Sequence, residues 1–364
     1  MAAEFVTLCA SSVRRREPFV GMKNRWWVLA RRPVGDDHAA ACELVDGESP
    51  DLADGDVLIR NAYLSLDAGT RMWMSARQDS YSPPTPLGSP VIGTVLGRVL
   101  ESRHPDFRAG DLARAWGQWA ELSVVRPDET PVERVSWQLD DLRQHLGVFG
   151  ANGWTAYLGV TEFGAAKRGD TVVVSAASGV TGALAGQIAA RLGCHVIGIT
   201  GSAEKAAWLT GELGFDAAVD RHDDVEAVLR ALCPQGIDVY FDNVGGPVLD
   251  AALANMAVFG RVAVCGLLHN YGADGPVPGP YKFDQVLMKR LRFQGFFSPD
   301  FYHRGPEVNR KLRPWYEAGE LTMPFDVTEG LEKTLTAYGK LFTGAKVGKA
   351  LVQVSDPHDD AGMP

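Results

Sequence analysis

The chain has 364 residues, 46% of them hydrophobic and 22% charged, with a formal net charge of −9. This balance excludes wholesale disorder, a collagen-like rod and a coiled coil, and it argues against a nucleic-acid surface built on net basicity. No apolar run reaches the roughly 18 residues that a membrane-spanning helix needs, so neither nucleic acid nor membrane is an expected partner. Length alone predicts about two domains.

Taken from the start, residues 1–23 carry Arg14, Arg15 and Arg16 but no apolar stretch followed by a cleavage site. They read as a flexible extension rather than a secretory signal, with Met22 as an alternative start. Patterned sequence then begins at RWWVLA, from Arg25. Short strand patterns follow in DVLIRNAYLSL, VIGTVLGRVLES and QWAELSVV, punctuated by Asp54-Gly55 and Gly110-Asp111. Short strands with such turns predict a β-rich barrel or sandwich. The polar, Pro-rich stretch 75–88 reads as a binding loop or lid.

The pattern changes near Gly147. The β-branched run TVVVS at 171–175 predicts a buried parallel strand, and VTGALAGQIAARL at 180–192 a helix. Strands are expected at 195–200, 217–219, 238–241, 261–265 and 291–297, with helices at 203–213, 225–232 and 248–256 between the earlier ones. This alternation predicts a doubly wound parallel α/β sheet. Beyond Pro314 a helix and the short strand ALVQV at 350–354 are expected, then a frayed tail at 355–364.

The five cysteines, Cys9, Cys42, Cys194, Cys233 and Cys265, lack the paired spacings of a disulfide framework. They read as reduced thiols of a cytoplasmic protein. Neither CxxC nor HExxH occurs, so a zinc site of the usual spacing is not expected.

The strongest chemical signal is AASGVTG at 176–182, directly after the TVVVS strand. Gly179 lets the backbone approach a pyrophosphate, Gly182 lets the helix pack on the sheet, and the helix N-terminus offers N–H donors. A dinucleotide is the expected ligand. The next strand ends in ITGSAEK, with no acid at its tip to bind the ribose hydroxyls. Ser202 and Lys205 stand there instead, and Arg221 follows the third strand. Donors and cations at that point favour a 2′-phosphate, hence NADPH.

With these residues in view, the chain resembles the zinc-free prostaglandin reductase and alkenal double-bond reductase branch of the medium-chain dehydrogenase/reductase superfamily. The resemblance runs from Asn24 to Val354, carried by NRWWVLARRPVG, VLIRNAYLSLDAGTRMWM, LGVFGANGWTAYLGV, VVVSAASGVTG, YFDNVGG, VAVCGLLHNY and the segment 329–354. It implies a GroES-like catalytic domain, residues 24–146 and 316–354, around a Rossmann NADPH domain, residues 147–315. It also implies a homodimer and reduction of the double bond of an enal or enone. The implied cofactor contacts are Asn152, Thr155, Ser178, Gly179, Val180, Thr181, Ser202, Lys205, Asn243, Cys265, Gly266, Tyr271, Phe296, Phe297 and Ser298. Arg221 stands where the family usually has Tyr, and Lys346 where it commonly has Asn.

In the implied reaction, hydride goes to the β-carbon and charge develops on the carbonyl oxygen, where a preorganised donor stabilises it. Tyr271, just past the fifth strand of the α/β region, is the expected donor, because a phenol stays protonated at neutral pH. Tyr63 and Tyr81 match positions that line the family's substrate pocket. His269 is more simply read as a solvated loop histidine. Trp73, Trp116, Trp119, Phe296, Phe297, Phe301 and Tyr302 divide between pocket wall and core in a way the sequence leaves open. An NADPH:quinone reductase, a secondary alcohol or hydroxy-eicosanoid dehydrogenase, which is disfavoured because an alcohol is harder to activate without zinc, and a non-catalytic NADPH-binding protein are the competing readings.

Overall fold

The computed structural model describes residues 21–35, 37–78, 83–137, 139–273 and 276–358. Tyr81, Cys9 and most of the expected N-terminal extension lie outside the described residues. The chain divides into two compact units. One comprises the chain up to Arg143 together with 326–345 and the segment from Ala350 onward; the other comprises 144–325 and 346–349.

In chain order the first unit contributes β1 (Lys23–Leu29), β2 (Cys42–Glu48), β3 (Val57–Ser65), α1 (Thr70–Met74), β4 (Ile92–Ser102), β5 (Leu112–Gln118), β6 (Leu122–Val125) and β7 (Val132–Arg134). The second supplies α2 (Ala151–Leu158), β8 (Thr171–Val174), α3 (Val180–Arg191), β9 (His195–Thr200), α4 (Ala203–Glu212), β10 (Ala217–Asp220), α5 (Val225–Leu232), β11 (Ile237–Asp242), α6 (Gly246–Asn255), β12 (Met256–Val264), α7 (Asp284–Met288), β13 (Arg292–Gly295) and α8 (Gly305–Glu317). The chain then forms β14 (Phe325–Glu329), α9 (Thr334–Thr343) and β15 (Lys349–Gln353).

The first unit is built on a sheet in the order β14-β15-β3-β4-β5-β7, with β6 also paired to β3, and a separate antiparallel β1–β2 pair. Its core gathers Leu29, Ile59, Leu64, Val95, Val99, Trp119 and Tyr338. Tyr338 of α9 meets Trp119 edge to face at 5.1 Å, so the C-terminal helix closes a core laid down by N-terminal strands. The Trp27 indole donates to the Leu331 carbonyl at 2.9 Å, a second tie between the two ends of the chain.

The second unit holds a wholly parallel six-stranded sheet in the order β10-β9-β8-β11-β12-β13. Numbered from β8, this is the 3-2-1-4-5-6 order of a dinucleotide-binding sheet, with its switch point between β8 and β11. Val172, Val173 and Val174 of β8 are wholly buried, which explains the unbroken apolar run. Each such side chain contributes about 1.5–3 kcal/mol. Asp224 caps α5, its carboxylate accepting from the Ala227 N–H at 3.1 Å. Val225 and Leu229 then point that helix into a shared cluster with Val173, Ile197, Tyr240, Leu249 and Leu253.

Several boundaries differ from expectation for identifiable reasons. The second unit continues past residue 315 to Phe325 because Gln187 of α3 binds both main-chain groups of Thr322, at 2.9 and 3.0 Å. Gln144 likewise donates to the Met323 carbonyl at 3.2 Å. Residues 346–349 also join this unit: Gly348 N–H donates to the Ser178 carbonyl at 3.2 Å, and Lys349 N–H to that of Pro324 at 3.0 Å. At the ends, Lys23 already belongs to β1. Ser355 is held to the Asn61 carbonyl at 3.0 Å rather than fraying.

Candidate cofactor and active site

β8 delivers the chain to a tight turn at the switch point. Ala176 adopts a left-handed backbone, φ 47°, which is unusual for a residue with a side chain and marks stored strain. The turn ends at Gly179, which caps α3 in an extended conformation (φ −79°, ψ 163°) with no side chain over the helix end. The first N–H groups of a twelve-residue helix therefore open toward an anion.

The two glycines of this turn have separable reasons. A Cβ at position 182 would lie 2.5 Å from the Ala176 carbonyl oxygen and 2.9 Å from the Ala177 Cα, so packing of α3 on the turn demands glycine there. A Cβ at 179 would meet only the Ala176 oxygen, at 3.3 Å, and the backbone angles suit any residue. Packing therefore does not itself demand glycine at 179, and the turn leaves room above its main chain. A pyrophosphate fits this cradle.

Neighbouring side chains shape the turn. The Thr200 hydroxyl donates to Ser178 Oγ at 2.8 Å, tying the end of β9 to the cradle. Asn152 of α2 donates to Thr181 Oγ1 at 3.2 Å, flanking Val180 at the start of α3. Thr155 gives its proton to the Ala151 carbonyl at 2.6 Å, so its hydroxyl is engaged within α2. Lys346 donates to the Gly348 carbonyl at 2.6 Å, and Gly348 bridges Gly179 in parallel, so Lys346 arrives beside the cradle on a distant piece of chain.

The tip of β9 gathers a second group. Ser202 caps α4, its Oγ accepting from the Lys205 N–H at 3.3 Å and keeping its own proton to donate. Arg221 is anchored by its N–H to the Thr200 carbonyl at 2.7 Å. Its guanidinium lies over Gly201, 3.2 Å from where a Cβ would stand. Burial and then the Arg221 charge lower the pKa of the Lys205 ammonium, with Glu204 opposing. Two cations that disfavour each other next to a hydroxyl make a site whose strain an anion relieves. A 2′-phosphate has the required charge and acceptors.

The far side of the switch point is a lip made of the turns after β11 and β12. Asn243 donates through Nδ2 to the Ser175 carbonyl at 2.7 Å and through its N–H to Ser175 Oγ at 2.8 Å. Cys265 and Gly266 donate their N–H groups to the Asp242 carbonyl, at 2.8 and 3.0 Å. The Tyr271 hydroxyl accepts from the Leu267 N–H at 3.3 Å. It lies over Gly266, where a Cβ would be 3.1 Å from the phenol oxygen. Its proton has no acceptor among the described residues. Desolvation pushes the Tyr271 phenol up to about 12, against the pull of the Leu267 N–H. Desolvation, then the Asp242 charge, pushes the Cys265 thiol up to about 12 as well. Tyr271 is therefore a neutral donor throughout the physiological range.

The remaining expected residues are distributed differently. The Phe296 ring stacks on Phe163 (4.4 Å, 6° between planes) and meets Phe241 edge-on, while Phe301 packs on Phe163 at 5.3 Å. Aromatic packing therefore claims the Phe296 ring, and its N–H is held by the Val264 carbonyl at 3.3 Å. The Phe297 carbonyl accepts from Asp300 N–H at 3.1 Å, and Ser298 opens the short 3-10 turn Ser298–Arg304. Tyr302 packs on Trp154 at 5.7 Å. In the first unit Trp119 is wholly buried, Trp73 meets Trp116 at 4.8 Å, and Tyr63 is a buried residue of β3. The His269 ring lies against Gly246, where a Cβ would be 2.6 Å from it. Three contributors were not singled out from the sequence: Ser175, Thr200 and Asp242. All three lie in segments the sequence marks, Ser175 in VVVSAASGVTG, Thr200 in ITGSAEK and Asp242 in YFDNVGG, but nothing local sets them apart there.

Among the described residues no group of three or more His, Cys, Asp or Glu is placed to hold a metal ion. No helix among them is long and apolar enough to cross a membrane. Residues 25–134 match the family described as "N-terminal domain of oxidoreductase", and residues 180–313 that described as "Zinc-binding dehydrogenase". The chain is 38% identical to the "NADPH-dependent curcumin reductase" of Escherichia coli (strain K12) over 344 residues, 92% of this chain and 97% of the relative. It is 40% identical to the "2-alkenal reductase (NADP(+)-dependent)" of Nicotiana tabacum over 302 residues, 82% and 88% of the two chains. The solved structure of CurA from Vibrio vulnificus in complex with NADPH superposes with a TM-score of 0.85 at 35% identity, covering 92% of this chain and 100% of that one. The chain belongs to the prostaglandin reductase and alkenal double-bond reductase branch of the medium-chain dehydrogenase/reductase superfamily.

Proposed function

We propose that the protein uses NADPH to reduce the carbon–carbon double bond of α,β-unsaturated carbonyl compounds, enals and enones. The observation that carries this reading is the Tyr271 hydroxyl: neutral, with an uncommitted proton, at the carboxyl edge of the sheet that bears the dinucleotide cradle. Bound NADPH supplies the hydride that reaches the substrate β-carbon. The cradle 176–182 holds the pyrophosphate against the start of α3, and Ser202, Lys205 and Arg221 select the 2′-phosphate. Tyr271 donates to the substrate carbonyl oxygen as negative charge develops there, the work of an oxyanion-hole donor. Tyr271 or water returns a proton to the α-carbon.

This reading also takes the protein as a cytoplasmic homodimer that needs no zinc. The four described cysteines are free thiols, in keeping with a reducing compartment. Support for pairing comes from β13, an edge strand of the sheet, and from the exposed apolar residues Phe259, Leu287 and Met288.

The test is reduced-nicotinamide oxidation with an alkenal, an aryl enone and a quinone, each with NADPH and with NADH, and identification of the product. Enone turnover to the saturated carbonyl, with NADPH strongly preferred, is the expected result. Turnover of the quinone alone would transfer the protein to the quinone reductases. NADPH binding with no turnover would make it a non-catalytic binding protein.

A further inference from the structure

We propose that Asp242 is a positioning residue for this reaction, its buried carboxylate and its carbonyl fastening together the two turns that carry Asn243 and Tyr271. The inference rests on the double-bond reductase reading for its kinetic consequence, but not for its geometry.

Asp242 ends β11 at the switch point and is wholly buried. Four donors converge on its Oδ1: the Ser175 hydroxyl at 3.1 Å, the Tyr240 hydroxyl at 3.2 Å, and the Val244 and Gly245 N–H groups at 3.0 Å each. Its Oδ2 has no partner among the described residues. A carboxylate only accepts, so one oxygen can take such a cluster, whereas an amide in its place would bring two N–H donors to a buried position lacking an acceptor.

Each link then leads toward the lip. Ser175 relays the carboxylate to Asn243 through Oγ and its carbonyl. The Asp242 carbonyl holds Cys265 and Gly266, the Asn243 carbonyl holds the Leu268 N–H at 3.1 Å, and the Val244 carbonyl holds the His269 N–H at 3.0 Å. Leu267, between these anchored residues, donates to the Tyr271 hydroxyl, which lies over Gly266. The placement of the phenol oxygen thus rests on the turn 242–244, whose main-chain carbonyls hold the Tyr271 segment and whose own N–H groups at Val244 and Gly245 are held by the buried acid. Burial raises the pKa of that acid while its four donors oppose the shift; desolvation raises Tyr271 and Cys265, and the Asp242 charge adds to it.

The test compares the full-length parent with Asp242→Asn and Ser175→Ala, each also carrying Tyr271→Phe as a reference. Melting temperature, NADPH affinity by fluorescence titration, enone kinetics and phenol titration are measured. The expected result is kcat lowered about 10- to 100-fold, as for a displaced catalytic group, with NADPH affinity within a few-fold. In Asp242→Asn the ionisation assigned to Tyr271, the difference between each protein and its Tyr271→Phe form, moves slightly to lower pH: desolvation, the main cause of its elevation, remains, and the smaller contribution of the Asp242 charge is gone. Unchanged kcat in a folded variant, or an unmoved Tyr271 ionisation, overturns the proposal. So does a fall in NADPH affinity and kcat that only tracks lost stability. Should Asp242→Asn fail to fold, Ser175→Ala, which cuts the same relay and leaves the acid in place, is judged on kcat and NADPH affinity by the same criteria. Should the parent reduce no enone, the proposed function fails, and the Tyr271 ionisation alone decides whether Asp242 sets the phenol.

Discussion

The two sides of the switch point are built by opposite means. The cradle after β8 is a main-chain device: a strained turn, an uncapped helix end and a glycine that packing demands. The lip after β11 and β12 adds a side-chain relay, Asp242 to Ser175 to Asn243, to the main-chain bonds that hold the segment carrying Tyr271. A main-chain site leaves a compact sequence signature because its residues are consecutive. A side-chain relay is assembled from residues far apart in the chain and leaves almost none.

The sharpest way to separate the two is to remove the phenol. Tyr271→Phe is expected to lower kcat about 100-fold or more while NADPH affinity is retained, the cost of losing one preorganised donor. An equal loss of cofactor binding would dissolve the distinction. In the parent, the phenol raised to about 12 keeps its proton at high pH. Its contribution to kcat/KM should persist past about pH 10, where an ordinary tyrosine is half ionised. A fall near pH 10 that Tyr271→Phe abolishes would contradict this.

Next comes the phosphate end. The double variant Lys205→Ala, Arg221→Ala is expected to weaken NADPH about 10- to 100-fold, with NADH almost unaffected, consistent with about 1.5–3 kcal/mol for a charged hydrogen bond. Titrations with both cofactors check it, and equal losses would deny any 2′-phosphate role. A smaller effect on stability tests the cradle itself. Gly182→Ala forces a Cβ toward the Ala176 carbonyl and should cost about 1–3 kcal/mol, read by denaturant melting, with weaker NADPH binding. Smallest is Ala176→Gly. Release of a left-handed alanine gains about 1–2 kcal/mol, and added chain entropy opposes it by about 0.5–1. A slight rise in melting temperature is expected, and a fall would show that the Ala176 methyl contributes packing worth more than its strain.

Legibility followed the same division. β9 and α5 fall on the residues expected for them, because a β-branched run and an amphipathic period are each local. β2 was not expected: CELVDGE carries three acids, and only its pairing with β1 makes it a strand. α2 was missed because its packing on α3 and Asn152's bond to Thr181 are tertiary facts. Phe296 is one of the aromatics whose division between pocket wall and core the sequence leaves open, and its ring packs on Phe163 and Phe241. Arg221 shows the converse. The departure from the family's Tyr left its role open, and the structure puts its charge within reach of Lys205.

The bond from Gly348 to Ser178 has a consequence for the order of events during synthesis. The strands and helices of the nucleotide-binding sheet are complete once Glu317 has left the ribosome, but the donors for the Ser178 and Pro324 carbonyls come from Gly348 and Lys349. A nascent chain still lacking that last stretch exposes an unfinished cradle, so the nucleotide-binding unit matures only after β14 and α9 have been translated.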